Sequence, residues 1–503
     1  MRTKVFLKNS IFTALLQVVT LLTGFIITRL MLTVYGSEIN GLVTSITQFL
    51  VYISLVEAGL AGAAVYALYK PLAEKNYNEV NSILKATKNF YFQIGNYYII
   101  LVLALAFIYP FIVKIDLLYI EVVILILVLG FSEAINFFLI AKYRVLLTAT
   151  QKLYILSNAN ICYIVVNTSV IALLAYFKVD IIILKVVALI AVFLRSGILY
   201  IYVKKNFKFV NYNVIPNVDA LSNRWDALYL QVLGSIHNGA PIVVATIFSS
   251  LKLVSVYSVY NMVFAGVSGI LSIFISGLSS SFGDIIAKKE QKTLQKAYQE
   301  FEFSYYMIIS WAYSCVIILI MPFIEIYTNG INDTEYYYPM IGFLFTLNGL
   351  LYNLKTPQGM LVISAGMFKE TRLQTTIQGL IAIIASVSFV QLWGLEGILI
   401  GMCLSNLYRT IDLLLFIPRN LTKLKVSISL FRMIRIFIVI AICYSPFLIF
   451  NIEPINIFEW LIIAIIVGIY CFFVTIIINY ILDRNTFHNV ITRILGLIKK
   501  KNK

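Results

Sequence analysis

The chain has 503 residues, of which 61% are hydrophobic and only 12% charged, with a net charge of +16. A globular chain carries about 25% charged residues, so this one cannot clothe a water-facing surface, and its solvent must be mostly lipid. Disordered, coiled-coil and disulfide-scaffold classes are excluded with it. The five cysteines (Cys162, Cys315, Cys403, Cys443, Cys471) fall inside apolar runs without metal-ligand spacing and read as buried small hydrophobes.

A helix needs about 20 apolar residues to cross ~30 Å of hydrocarbon. The sequence predicts fourteen such spans, at roughly 10–34, 39–67, 90–113, 119–146, 155–177, 180–203, 226–249, 252–278, 302–328, 336–361, 372–392, 395–417, 431–450 and 455–480. No segment alternates as a membrane β-strand does. The first span follows Arg2, Lys4 and Lys8 but has no cleavage site, so it stays attached as a helix. All but six of the 39 Lys and Arg residues lie on one side of this topology; the exceptions are Arg29, Lys114, Lys178, Lys185, Lys252 and Lys355. The positive-inside rule then puts both termini in the cytoplasm. The basic residues follow the membrane rather than a nucleic-acid surface, and no nucleic-acid partner is expected. Connections on the outer side are a few residues long, and none on either side is long enough to fold as a catalytic domain. Asn76–Lys88, Lys288–Tyr298 and the basic tail Asn485–Lys503 read as amphipathic interfacial helices.

An internal repeat is visible at an offset of 214 residues, where Tyr66–Phe90 and Ser280–Ser304 share one layout: a helix end, a charged linker and a new helix. The offset equals six spans, so the halves run parallel, the repeat type related by an axis along the membrane normal. The expected fold class is an all-α polytopic membrane protein of about 14 transmembrane helices. It has two parallel pseudo-repeated six-helix bundles plus two C-terminal helices. The expected divisions are 1–205 (first bundle), 206–225 (cytoplasmic linker), 226–420 (second bundle), 421–480 (helices 13 and 14) and 481–503 (basic tail).

Ionisable residues inside spans are expensive and mark function by default. Glu133 sits near the middle of span 4, ~21 Å from one end at 1.5 Å per residue. It must line a wet cavity, pair with a cation or be protonated. Glu57 in span 2 is too short to snorkel far, and both carboxylates are coupling candidates. Arg29 near the outer end of span 1 reads as a headgroup anchor or, because the positive-inside bias disfavours a basic residue there, as a functional cation. Lys355 in span 10 carries the same two readings. Arg409 and Asp412, spaced i, i+3, satisfy each other on a helix face. Spans 7 and 8 carry His237, Asn238, Tyr257, Tyr260 and Asn261, which suit sugar hydroxyls and interhelical hydrogen bonds equally well. The sequence holds no P-loop, Asp-x-Asp, His-Glu-x-x-His or Gly-x-Ser-x-Gly, so no catalytic constellation and no enzyme is expected.

Two segments carry a resemblance. Arg29-Leu30-Met31-Leu32-Thr33-Val34-Tyr35-Gly36-Ser37-Glu38-Ile39-Asn40-Gly41-Leu42 resembles the end of span 1 in bacterial polysaccharide flippases, and Leu55-Val56-Glu57-Ala58-Gly59-Leu60 resembles their span 2, with its acidic residue before the glycine. These belong to the multidrug/oligosaccharidyl-lipid/polysaccharide exporter superfamily. The resemblance implies two six-helix bundles around a central cavity, alternating access and a bacterial plasma (inner) membrane location. It implies a substrate of undecaprenyl-pyrophosphate-linked oligosaccharide, turned over from inner to outer leaflet for O-antigen, capsule or teichoic acid synthesis. The two extra helices fit the fourteen-span members, lipid II flippases included, where they form a groove for the lipid tail. Arg29, His237, Asn238, Tyr257, Tyr260, Asn261 and Lys355 are then the substrate-binding candidates. No cofactor or metal is expected beyond a coupling H+ or Na+. Expected partners are the lipid-linked oligosaccharide, membrane lipids and a polysaccharide polymerase or transferase. Two alternatives remain: a multidrug/cation antiporter of the same superfamily, and a polytopic polysaccharide polymerase or transferase.

Overall fold

The computed structural model describes residues 2–221, 224–275, 278–450 and 452–501, which contain helices and connections and no strand. In chain order the first helices are α1 (Arg2–Leu30), α2 (Gly36–Ser54), α3 (Leu60–Ala73), α4 (Tyr77–Ile112), α5 (Tyr119–Ile135) and α6 (Ala141–Ala149). There follow α7 (Leu153–Tyr176), α8 (Ile181–Asn206), α9 (Arg224–Phe248), α10 (Leu251–Ile275), α11 (Leu278–Ala287) and α12 (Gln291–Thr328). The last are α13 (Pro339–Leu354), α14 (Thr356–Ala365), α15 (Arg372–Ile417), α16 (Val426–Tyr444), α17 (Ile457–Leu482) and α18 (Arg484–Lys501).

Ten helical segments among the described residues are long and apolar enough to cross a membrane. Two of them, Lys8–Ala73 with 66 residues and Arg372–Thr422 with 51, are too long for a single crossing of ~30 Å at 1.5 Å per residue. Gly36 at φ 83° and Gly394 at φ 54° break the backbone inside them, a conformation glycine adopts without penalty. Counting each as two, and adding α9 and the pair α13–α14, gives the fourteen spans the hydropathy predicts. Large apolar side chains face outward along them, as on α17, where Ile462, Ile465, Ile466, Ile469 and Phe473 are all exposed. In water such a face would be unstable; in lipid it is the solvated one.

The repeat is also visible in the backbone. After α3, Lys75 takes φ 55°; after α11, Lys289 takes φ 57°, 214 positions on. Around the first turn, N–H groups of Lys75, Asn76 and Tyr77 donate to the carbonyls of Leu72, Pro71 and Lys75. Around the second, those of Lys289, Glu290 and Gln291 donate to Ile286, Ile285 and Lys289, each displaced by the same offset. This is a left-handed helix stop with its two characteristic reverse bonds.

The chain divides into two compact units, Met1–Ser258 and Val259–Lys503. In the first, α1 packs on α7, α7 on α8, α4 on α5, and α5 on α8. Its core includes Leu42, Ile46, Ala64, Leu84, Tyr98 and Leu146. The unit boundary falls beyond the 206–225 linker and α9. The linker is bound back at once: Asn81 donates to the Phe209 carbonyl (2.8 Å) and accepts from the Asn211 N–H (3.1 Å). α9 and the start of α10 are tied to α2 by Ser45 and Thr246 (2.7 Å) and by Asn40 donating to Ser255 (2.8 Å). In the second unit α13 packs on α15, and α16 and α17 both pack on α12 through Ile318, Leu319, Val439, Cys443, Val467 and Cys471. Cys403, Cys443 and Cys471 are buried, as the composition reading expects, but Cys315 is half-buried and Cys162 is exposed on α7, an apolar surface that lipid rather than protein covers.

Glycine sets the closest helix approach in the first unit. A Cβ on Gly41 would lie 1.8 Å from the backbone oxygen of Leu251. Gly41→Ala should therefore cost about 1–3 kcal/mol through forced displacement of one backbone. Gly62→Ala, whose Cβ meets nothing within 4 Å, should be neutral or slightly stabilising. Melting curves of the two variants in detergent check this; equal midpoints would contradict the close approach.

Candidate functional site

The polar interior of the first unit forms where its helices lose regularity. Span 2 is broken between α2 and α3: Leu55–Glu57 tighten into a short 3₁₀ turn, Gly59 takes φ 82°, and α3 then starts at Leu60. Glu57 sits at this break. Span 4 widens into a single π turn over Asn136–Ile140, between α5 and α6. A second π turn, Met31–Tyr35, follows Arg29 directly. Such widenings inside α-helices recur at functional positions.

Glu57 is paired. Arg144 Nη2 on α6 donates to both carboxylate oxygens, at 2.9 and 2.8 Å, and lies 3.4 Å from the Tyr91 hydroxyl. Glu133 is bonded through an amide. Asn136 Nδ2 donates to Glu133 Oε2 (2.7 Å), while the Asn136 oxygen accepts from Arg195 on α8. Arg195 also donates to Asn160 (3.3 Å) and lies over the Tyr163 ring, 4.6 Å from its centroid. An amide can serve a carboxylate and a guanidinium at once because it carries a donor and an acceptor. Both coupling candidates thus lie in one bundle, each linked to a cation, directly for Glu57 and through Asn136 for Glu133. The sequence reading missed those cations. Arg144 and Arg195 fall toward the inner ends of predicted spans 4 and 6 and count there only as inner-side charge, but α6 runs on to Ala149 and α8 to Asn206, so both sit well inside helices. The signal that could have found them is the unpaired carboxylates, which required partners.

The remaining predicted residues lie as follows. Arg29 is half-buried in the last turn of α1. His237 is buried on α9 and Asn238 is exposed. The α9 face at Gly239 meets Gln48 and Tyr52 of α2 so closely that a Cβ would lie 2.1 Å from the Gln48 amide. Tyr257 is buried in the first unit. In the second unit, Asn261 is half-buried. Tyr260 is fully buried, and its hydroxyl donates to the Tyr336 carbonyl (2.8 Å) and accepts from the Tyr338 N–H (3.1 Å). That hydroxyl fastens the connection before α13. Lys355 stands at the break between α13 and α14, where its Nζ donates to Asn406 Oδ1 (2.7 Å), and Asn406 in turn donates to Asn348 (2.8 Å). Arg409 and Asp412 pair at 2.5 Å, as their spacing predicts.

A second charged network, which the sequence reading did not single out, joins α12 to the last three helices. Glu302 accepts from Arg432 (3.0 Å), Ser429 (2.7 Å), Tyr298 (2.8 Å) and Gln358 (3.2 Å), and its side chain is 1% exposed. Arg432 also bonds Asp483 (3.2 Å), which Arg435 approaches to 3.6 Å. Asp483 follows α17 directly. Burial alone would raise its pKa, but bonding to Thr486 and the two guanidiniums outweigh burial and hold the carboxyl below the usual aspartate range.

No family model matches this sequence, and no curated protein matches it. Solved structures do. A lipid II flippase, MurJ, in an inward closed conformation matches at a TM-score of 0.67 and 17% identity, covering 94% of this chain and 99% of its own. An inward-facing multidrug resistance MATE family transporter of the MOP superfamily matches at 0.63 and 14%, covering 84% and 98%. A MOP superfamily transporter from Pyrococcus furiosus, with a binding pocket of reverse polarity, matches at 0.57 and 15%, covering 85% and 96%. The chain has the fold of the MOP superfamily transporters. At 14–17% identity the likeness extends to the fold alone.

The Glu302 network makes two measurable demands. Arg432→Met strands a buried carboxylate and should cost about 3–5 kcal/mol, and Arg432→Lys should cost less. Because the Asp483 pKa is depressed by folding, its contribution is complete above the ordinary aspartate range and is lost as pH falls through the folded value. The melting temperature should therefore drop on acidification below that range, and Asp483→Asn should flatten this limb. An unchanged acid limb in Asp483→Asn would contradict the assignment.

Proposed function

We propose that the chain is a secondary-type transporter, not an enzyme, and that it flips undecaprenyl-pyrophosphate-linked oligosaccharide from the inner to the outer leaflet by alternating access. The observation that supports this most is the extent of the structural likeness. The MATE neighbours, taken almost whole, leave 13–16% of this chain without a counterpart, against 6% for the lipid II flippase. The two helices beyond the repeat, α16 and α17, are part of what a longer, lipid-handling member would need.

The chemistry of the substrate is consistent with the cations the chain keeps. A pyrophosphate headgroup needs fixed positive charge to leave water, and a guanidinium can meet a phosphate with two parallel bonds. Arg29 is our phosphate ligand, with Lys355 as a second cation. His237, Asn238, Tyr257, Asn261 and Tyr260 are the polar positions assigned to the glycan, Tyr260 only so far as its bonds to Tyr336 and Tyr338 exchange. Coupling to an H+ or Na+ gradient falls to Glu57 and Glu133. The setting is the bacterial plasma membrane, with both termini on the cytoplasmic side.

Proteoliposomes with a fluorescent lipid-linked oligosaccharide test the reading. The wild type should flip the probe, and Arg29→Ala should lower the rate at least tenfold at normal expression. Arg29→Lys should recover only part, because a point charge lacks the planar fork. Normal flipping by Arg29→Ala would make Arg29 a headgroup anchor. Export of a cationic dye without flipping of the lipid would favour the antiporter.

A further inference from the structure

The first unit holds a second polar feature, away from the Glu57 and Glu133 carboxylates. Helices α5, α7 and α8 line a partly open cavity of about 130 Å³ that holds Ser132, Tyr163, Asn167 and Lys185, with apolar walls that include Leu129 and Ile171. Lys185 is the fifth residue of α8, about 6 Å from its start at 1.5 Å per residue. None of these four side chains makes a hydrogen bond or ion pair with another described residue; the single ring contact is that of Tyr163 with Arg195. All four can donate, and the ammonium can only donate.

Within a bilayer this arrangement is costly. An unsatisfied polar group in hydrocarbon costs several kcal/mol, and an isolated ammonium more. The unit's own carboxylates do not answer it. Glu57 is bound by Arg144, and Glu133 by Asn136. Arg195, behind the Tyr163 ring, adds a second positive charge, and its Nε is buried without a partner. Lys185 therefore has no anionic partner among the described residues.

We propose that this cavity is a binding site for one small inorganic anion of chloride size, held by the Lys185 ammonium and by the Tyr163, Asn167 and Ser132 donors. The volume supports that size. It is roughly ten times the ~10–15 Å³ needed for one water, enough for an anion with part of its hydration shell. It lies below the ~300–1,000 Å³ typical of organic ligand sites, so it cannot take a glycan. The anion neutralises the Lys185 ammonium and closes the donor set. The proposal does not depend on the lipid-linked substrate assigned above.

The test uses the purified full chain at constant ionic strength. Chloride replacing gluconate should raise the melting temperature of the wild type along a saturable curve. Bromide crystals should show an anomalous peak within hydrogen-bond distance of Lys185 Nζ. Lys185→Met keeps the stem and removes the charge; it should raise the apparent chloride Kd at least tenfold, and Asn167→Ala should raise it severalfold. An equal chloride response in Lys185→Met overturns the proposal, as does a wild type with neither an anion-dependent shift nor a bromide peak. The bromide measurement on the wild type stands if a variant fails to fold. Stabilisation by glycerol or a sugar alone, with no anion response, would make the cavity a polyol site and also overturn it.

Discussion

A charge in hydrocarbon has no water to solvate it, so each one kept inside the protein must find its partner within reach of its own helix. Much of the polar architecture follows from this constraint. In the first unit, Glu57 takes both oxygens to one guanidinium nitrogen, and Glu133 reaches a cation through the Asn136 amide. In the second, Glu302 gathers four donors around a carboxylate that water does not reach. Such pairs are weak evidence for stability, since well-packed apolar residues often do as well. The coupling role proposed for Glu57 and Glu133 would give a reason to keep them.

The same constraint explains where the helices break. Free backbone groups at membrane depth are tolerated only against protein or a wet cavity. The breaks at Gly59, at Asn136–Ile140 and at Lys355 each lie beside a charged side chain whose bonds include amide, hydroxyl or guanidinium groups. Span 2 could run as one continuous helix were it not for Gly59. The unwound turn brings Glu57 within reach of Arg144 on a helix three connections later in the chain.

Much of the fold is legible in the sequence because lipid imposes it. Twenty-residue apolar runs and the bias of Lys and Arg follow directly from the solvent. The 214-residue repeat, weak as identity, reappears as the same left-handed turn at Lys75 and Lys289. The site is less legible, and the reason is geometric. Arg144 and Arg195 count only as inner-side charge because hydropathy marks where apolar character ends, not where a helix ends. Glu302 reads as a helix terminus for the same reason, although Arg432 and Asp483 bury it. For Tyr260 the sequence leaves a sugar contact and an interhelical hydrogen bond equally open, because no pattern in it shows that the hydroxyl bonds Tyr336 and Tyr338. The bonds holding α9 to α2 join residues some 200 positions apart, and no pattern in the sequence shows them.

The account turns on whether the mid-membrane carboxylate is there to respond to an ion gradient. Measuring gradient-driven flipping and melting temperature together for Glu133→Gln is the most direct test. The substitution is nearly isosteric and removes a charge whose insertion costs roughly 2.5–3.5 kcal/mol. The account predicts a folded protein, with a midpoint close to that of the wild type, whose transport no longer follows the imposed gradient. A stable Glu133→Gln protein with full gradient-driven transport would contradict it.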